Sequence, residues 1–239
     1  MENEKSVLRW GGLAGILAFI LWIVEMPLYG SIDPFTPEGL MRFENVRVAL
    51  GMSTILMMTI AILSVALVLT LYRALRATSL AFALFGSVLG VVGYISTALG
   101  DASTFFAFTP ISDLNRAPAV TAETQATAVL LWQTTQGITA TFFFVGSLFM
   151  VICFIVLGVA MLSAPDFGRR FGGMSILLGT IGLVGVIASL FVAGEIGIQL
   201  MGISVFANII FLSLFGWKVY TLSRRTGMSK KGAKREVSF

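Results

Sequence analysis

Six apolar stretches, each about twenty residues or longer, divide the chain at about 10–29, 47–71, 79–100, 131–162, 172–193 and 196–217. That is the length an α-helix needs to cross a hydrocarbon core of about 30 Å. Mostly short polar segments separate the stretches. The pattern therefore predicts an all-α polytopic membrane protein, a bundle of six transmembrane helices filling residues 1–222, with residues 223–239 as a basic cytoplasmic tail. In the first polar segment, Thr36-Pro37-Glu38 supplies an N-cap, a proline suited to the first helical turn and an early acid, so a helix is expected to start there. The one long segment, from Asp101 to about Val129, carries Phe105, Phe106 and Phe108 before Pro110, then Asp113, Asn115, Arg116 and Pro118. It reads as a turn-rich lid with interfacial aromatics, helical again from Thr121.

Charge orients these spans. Thirteen of the sixteen Lys and Arg residues fall on one side, and only Arg42, Arg47 and Arg116 lie opposite. The acids sort the other way, with Glu2, Glu4, Asp166 and Glu236 on the basic side and the other eight towards the far side, a balance of about +9 against −5. Short loops rich in Lys and Arg stay cytoplasmic, so both termini are expected inside a cell membrane. The sequence pI near 9.5 then follows from topology, and no nucleic-acid partner is implied. The first span ends Glu25-Met26-Pro27-Leu28-Tyr29-Gly30 without a small-x-small cleavage pattern, so it is expected to be a retained helix. Membrane lipid is the implied partner: the tail's Arg224, Arg225, Lys230, Lys231, Lys234 and Arg235 can meet anionic headgroups.

Composition removes most chemistry. The chain has no histidine and one cysteine, Cys153. His-ligated haem, the usual zinc sites and Ser–His hydrolysis are excluded. No lysine lies within a span to form a Schiff base. Ala98-Leu99-Gly100-Asp101 falls one residue short of the GxGD of intramembrane aspartyl proteases, and no partner aspartate motif exists. The expectation is no catalytic residue, no metal, no cofactor and no enzymatic activity.

What remains is polar groups in apolar surroundings. Glu25, Asp101 and Glu195 each stand towards the outer end of an odd-numbered span and would ring one vestibule if those spans are neighbours. Such carboxylates could bind a cation or hold a proton; alternatively each marks a solvated helix end or pairs with Arg42, Arg47 or Arg116. Gln133, Gln136 and Ala140 form a stripe on the fourth helix, with Trp132 beside them at interfacial height. Asn208 lies mid-way along the sixth span with Ser204 one turn before it. Such groups face protein or a water-filled cavity, as interhelical hydrogen bonds or ligand contacts. Glu25, Gln133, Gln136 and Asn208 are thus the candidate ligand-binding set, bordering an outward-opening cavity.

Glycines punctuate the odd-numbered spans: Gly11/Gly15, Gly86/Gly90/Gly93 and Gly179/Gly182/Gly185. Small residues one turn apart let helices approach closely, so the odd-numbered spans are expected to form the inner contacts. Arg9-Trp10-Gly11-Gly12 matches Arg170-Phe171-Gly172-Gly173, and Leu89–Gly93 matches Ile181–Gly185. Three duplicated hairpins or chance in low-complexity sequence would each explain this.

The opening Gly11-Gly12-Leu13-Ala14-Gly15, the Thr36-Pro37-Glu38 helix leading through Glu44-Asn45 and Arg47, and Leu71-Tyr72-Arg73-Ala74-Leu75-Arg76 resemble an uncharacterised bacterial six-helix integral-membrane family, a domain of unknown function. The resemblance spans most of residues 8–218. It implies the six-helix topology and no activity. The functional expectation is a non-enzymatic accessory, sensing or assembly component with a protein partner in the membrane. The alternative is a small transporter or channel with an outward-facing polar cavity, which needs polar side chains facing one another at midplane depth. From the sequence, only Asn208 is clearly that deep.

Overall fold

The computed structural model describes the backbone of residues 2–30, 37–115, 121–192 and 195–236, and the side chains of 4–28, 47–114, 121–192, 196–197 and 199–224. These residues form six helices and, as described, no strand: α1 (Glu2–Gly30), α2 (Pro37–Leu75), α3 (Leu80–Asn115), α4 (Ala122–Leu162), α5 (Gly168–Phe191) and α6 (Glu195–Glu236). All six are long and apolar enough to cross a membrane. The start of α2 at Pro37 agrees with the expected proline-led turn; Thr36 lies outside the described residues. The last turns of α1, α3 and α5 and the first turns of α2, α4 and α6 lie at one end, here the hairpin end. The termini and the two short turns α2–α3 and α4–α5 lie at the other, the terminal end.

The helices close into a ring. Each packs on its chain neighbours, α1 packs on α6, and α2, α4 and α6 also meet in the middle. The three hairpins thus occupy equivalent places, odd helix outside and even helix inside. This overturns the expectation that the Gly-rich odd-numbered spans are the inner ones. The apolar windows of α1 and α5 are 28% buried and that of α3 39%, against 50% for α2 and 44% for α4 and α6. Glycine sets how closely a pair of helices approaches, and a helix on the rim can be gripped as tightly as one at the centre.

The glycines do lie at helix contacts. A Cβ on Gly12 would stand 2.5 Å from the Tyr220 backbone nitrogen, and one on Gly15 2.9 Å from Gly216 Cα. Gly172 and Gly158 clasp α5 to α4, each placing a Cβ within 2.9 Å of the other's carbonyl oxygen. A Cβ on Gly90 would stand 2.8 Å from Cys153 Sγ and one on Gly182 2.6 Å from Val151 Cγ1, so both lie at helix contacts as the glycine spacing predicts. At the α4–α5 turn Gly168 holds φ +71°, a left-handed value that favours glycine. The core between the even helices is aromatic: Phe154 of α4 stacks on Phe211 of α6 at 4.0 Å, and Phe211 continues to Phe215 at 4.5 Å.

The described part of the segment expected to be a turn-rich lid is helical instead; Arg116 and Pro118 lie outside the described residues. α3 runs on through Pro110 to Asn115, and α4 resumes at Ala122, capped by Thr121 Oγ1, which accepts from the Thr124 N–H at 3.2 Å. Packing outweighs the proline. Phe105, Phe108 and Ile111, spaced by three, pack with Leu50 of α2 and Ala128 and Trp132 of α4 in a separate apolar cluster. Phe108 stacks on Trp132 at 3.8 Å, and the Thr109 hydroxyl donates to the Phe105 carbonyl at 3.0 Å, near the backbone bond that proline cannot make. At about 1.5 Å per residue, a 41-residue α4 is roughly 60 Å long. It exceeds a 30 Å core about twofold, so α3 and α4 project as a helical pair at the hairpin end.

A candidate buried carboxylate site

Glu25 points inward from α1. Its side chain is 2% exposed, and Oε1 accepts a hydrogen bond from Ser53 Oγ of α2 at 2.6 Å. On α3, Asp101 is 4% exposed, lies within electrostatic range of Glu25, and its Oδ2 has no hydrogen-bond partner among the described residues. The antiparallel register explains the meeting. Gly51 of α2 touches the Phe105 ring of α3, and Ser87 Oγ of α3 donates to the Val68 carbonyl of α2 at 3.5 Å. Between these two contacts Asp101 faces the stretch of α2 holding Ser53, buried Thr54 and Met57. Two carboxylates on helices separated by α2 thereby lie within electrostatic range of one another, and one of them, Glu25, is bonded to the Ser53 hydroxyl of α2.

Depth matters to what this pair can do. Asp101 stands twenty-one residues beyond Leu80, the start of α3, so about 30 Å along the helix, at the far edge of the hydrocarbon layer. No Lys or Arg is paired with either carboxylate among the described residues. The ion pair there is Arg47–Asp113, 3.5 Å apart and well exposed, with side chains 41% and 62% accessible. It joins the projecting part of α3 to α2, so Arg47, anticipated as a partner for Glu25, Asp101 or Glu195, pairs with Asp113 instead.

A second polar contact lies deeper. Tyr94 Oη of α3 donates to Asn208 Oδ1 of α6 at 2.6 Å, with Tyr94 3% and Asn208 2% exposed. The backbones of α3 and α6 are not neighbours among the described residues, so the two side chains reach across the bundle interior. Tyr94 is seven residues before Asp101 and seven after Ser87, and all three are buried. Two helical turns separate each pair, so they form one inward-facing column. Ser204, one turn from Asn208, is also buried and donates to the Met201 carbonyl of its own helix at 2.7 Å.

Other candidates stand apart. Gln133 is exposed and Gln136 half-buried, and the inward face of α4 is Ala128, Trp132 and Thr139. Trp132 is 2% exposed and stacked on Phe108. Gln133 is turned about 100° from Trp132, one residue's turn, whereas Gln136, one turn after Trp132 and one before Thr139, lies at the edge of that face with its Oε1 buried. Thr139 bonds Ser103 at 3.2 Å and Thr104 at 3.3 Å across the α3–α4 seam. The Glu195 side chain, expected to complete the ring of outer acids, lies outside the described residues. Among the described residues, no group of three or more His, Cys, Asp or Glu could hold a metal ion. Ser53 and Tyr94 were missed by the sequence reading. Their signal was register: Tyr94 lies on the Asp101 face of α3, and Ser53 lies on the helix that follows Glu25.

Compared with known protein families, characterised proteins and solved structures, the chain matches none. The likeness to the six-helix bacterial family therefore rests on its sequence motifs alone.

Proposed function

We propose that the protein is a small transporter or channel of the cell membrane, with the hairpin end outside and both termini cytoplasmic. The observation that carries this is the Tyr94–Asn208 bond at 2.6 Å, with Glu25 bonded to Ser53 on the same side of the bundle. Polar side chains from α1, α2, α3 and α6 face the interior at two depths, and burying them without function would cost stability in lipid. Tyr94, about 20 Å along α3 from Leu80, supplies the midplane partner that Asn208 lacked in the sequence alone. The sorting of basic residues sets the direction.

Thiol access tests both claims, in a Cys153→Ala background. Leu114→Cys, 38% exposed near the end of α3, is labelled from outside intact cells, and Ser229→Cys only after lysis. Thr54→Cys, beside the carboxylates, reacts from outside with a small membrane-impermeant reagent, whereas Leu67→Cys, further towards the terminal end, does not. A silent Thr54→Cys in a folded protein means a sealed core and ends the transport reading.

An accessory or assembly role is favoured by a different observation. Phe106 and Leu130, 67% and 64% exposed, stand on the projecting helices about 40 Å or more from their terminal ends, beyond a 30 Å core. If a partner protein covers them, charged substitutions there abolish its recovery from native membranes without unfolding the bundle.

A further inference from the structure

The geometry points to Glu25, Ser53 and Asp101 as a binding site for one dehydrated monovalent metal cation, reached from the hairpin end. Three observations converge on it. Glu25 and Ser53 are already joined at 2.6 Å, so the hydroxyl proton is directed to Glu25 and the hydroxyl lone pairs are left to accept a cation. Asp101 is 4% exposed, and its Oδ2 is buried with no donor. An ionised oxygen in that position requires a positive partner. The arginine nearest in sequence to Ser53, Arg47, is engaged with Asp113 at 3.5 Å. Buried carboxylates in a span are retained for ion handling far more readily than for stability, which they lower.

The same burial selects the cation. Magnesium keeps several of its waters, and both carboxylates, 2% and 4% exposed, are withdrawn from bulk water. Calcium takes six to eight oxygens, more than two carboxylates and one hydroxyl provide. A sodium or potassium ion is satisfied by fewer ligands and lower charge, and the two acids hold it between α1 and α3 across Ser53. It would then act as a tie between a rim helix and the projecting α3, a contact that no backbone packing supplies.

This deepens the transport reading and rests on it only for the side of access. Equilibrium binding in detergent needs no translocation, so the failure of either is separately visible. The full-length protein, purified in choline chloride, is melted with sodium, potassium, calcium or magnesium chloride at constant ionic strength. Sodium or potassium should raise the Tm of the wild type in a saturable way, and Asp101→Asn and Glu25→Gln should lose the shift. Ser53→Ala should weaken the apparent affinity by about tenfold, as removal of a group that orients a ligand does. Asp113→Asn, on the exposed ion pair, should keep the full response and controls for surface charge. If Asp101→Asn fails to fold, Ser53→Ala and radioactive sodium binding to the wild type decide the matter. A shift with calcium or magnesium alone, a shift retained in Asp101→Asn, or no saturable sodium or potassium binding overturns the site.

Discussion

The two ends of this bundle are built from different materials. Towards the terminal end, helices meet backbone to backbone through Gly12, Gly15, Gly158, Gly172 and Gly216, and the space between the even helices is filled by Phe154, Phe211 and Phe215. Towards the hairpin end, polar side chains and an aromatic stack join such glycine contacts: Glu25 with Ser53, Thr139 with Ser103 and Thr104, and Phe108 on Trp132. Lipid offers helices no hydrophobic reason to associate, so close packing must come from small residues and dispersion, or from hydrogen bonds. The terminal half relies on the first means, while the hairpin half combines both, since a Cβ on Gly185 would stand 2.5 Å from the Leu200 carbonyl oxygen and one on Gly146 2.9 Å from that of Gly93. A half held by backbone apposition resists change, while a half held by side chains can exchange partners with an ion or with water. The difference assigns rigidity to one end and chemistry to the other.

That contrast can be broken by substitution, beginning where the effect should be greatest. Phe154→Ala removes a fully buried ring from the middle of the aromatic stack and should cost about 3–5 kcal/mol. It should read as a steep fall in Tm in detergent. If the melt barely moves, the stack is not what holds the even helices together. Gly12→Leu should cost about 1–3 kcal/mol by forcing α1 off the Tyr220 backbone. Gly137→Leu, where nothing lies within 4 Å of a new Cβ, should be neutral or slightly stabilising. Equal damage from the two would remove the distinction between gripped and open helix faces. The smallest loss of stability is expected at Tyr94→Phe. Interhelical hydrogen bonds in bilayers average about 0.6 kcal/mol, so stability should fall only slightly even as access to Thr54→Cys changes. A loss as large as that of Phe154→Ala would make the Tyr94–Asn208 bond a structural pillar of the polar half.

The helices were legible because spans must satisfy their backbone internally and bury no charge in lipid, which leaves runs that composition alone exposes. Close approach at Gly90 and Gly182 was equally legible, since a missing side chain is visible in the sequence. The arrangement around the ring was not: it depends on which faces meet, and α1 and α5 are apolar nearly all round. The continuation of α3 past Pro110 was hidden for a related reason. A proline is read locally, while the contacts outweighing it come from Leu50 and Trp132 on other helices. At the candidate site, Glu25, Asp101 and Asn208 announced themselves by polarity in apolar surroundings. Ser53 and Tyr94 did not, because hydroxyl groups are common in spans and become informative only once a neighbour's carboxylate or amide is known to face them.

The contact between α1 and α6 also has a biosynthetic meaning. During membrane insertion α1 emerges first and α6 last, so the glycine face of α1 that receives Gly216 and Tyr220 has no final partner until nearly the whole chain has been made. Each hairpin can form as soon as its second helix enters, because its contacts are local in sequence, but ring closure joins the most distant helices and is the slow, late event. Until then Gly12 and Gly15 form an adhesive strip open to any other small-residue helix in the bilayer. Quality control of this protein would therefore turn on α6: a ribosome that stalls before it leaves five inserted helices and an unclaimed face on the first.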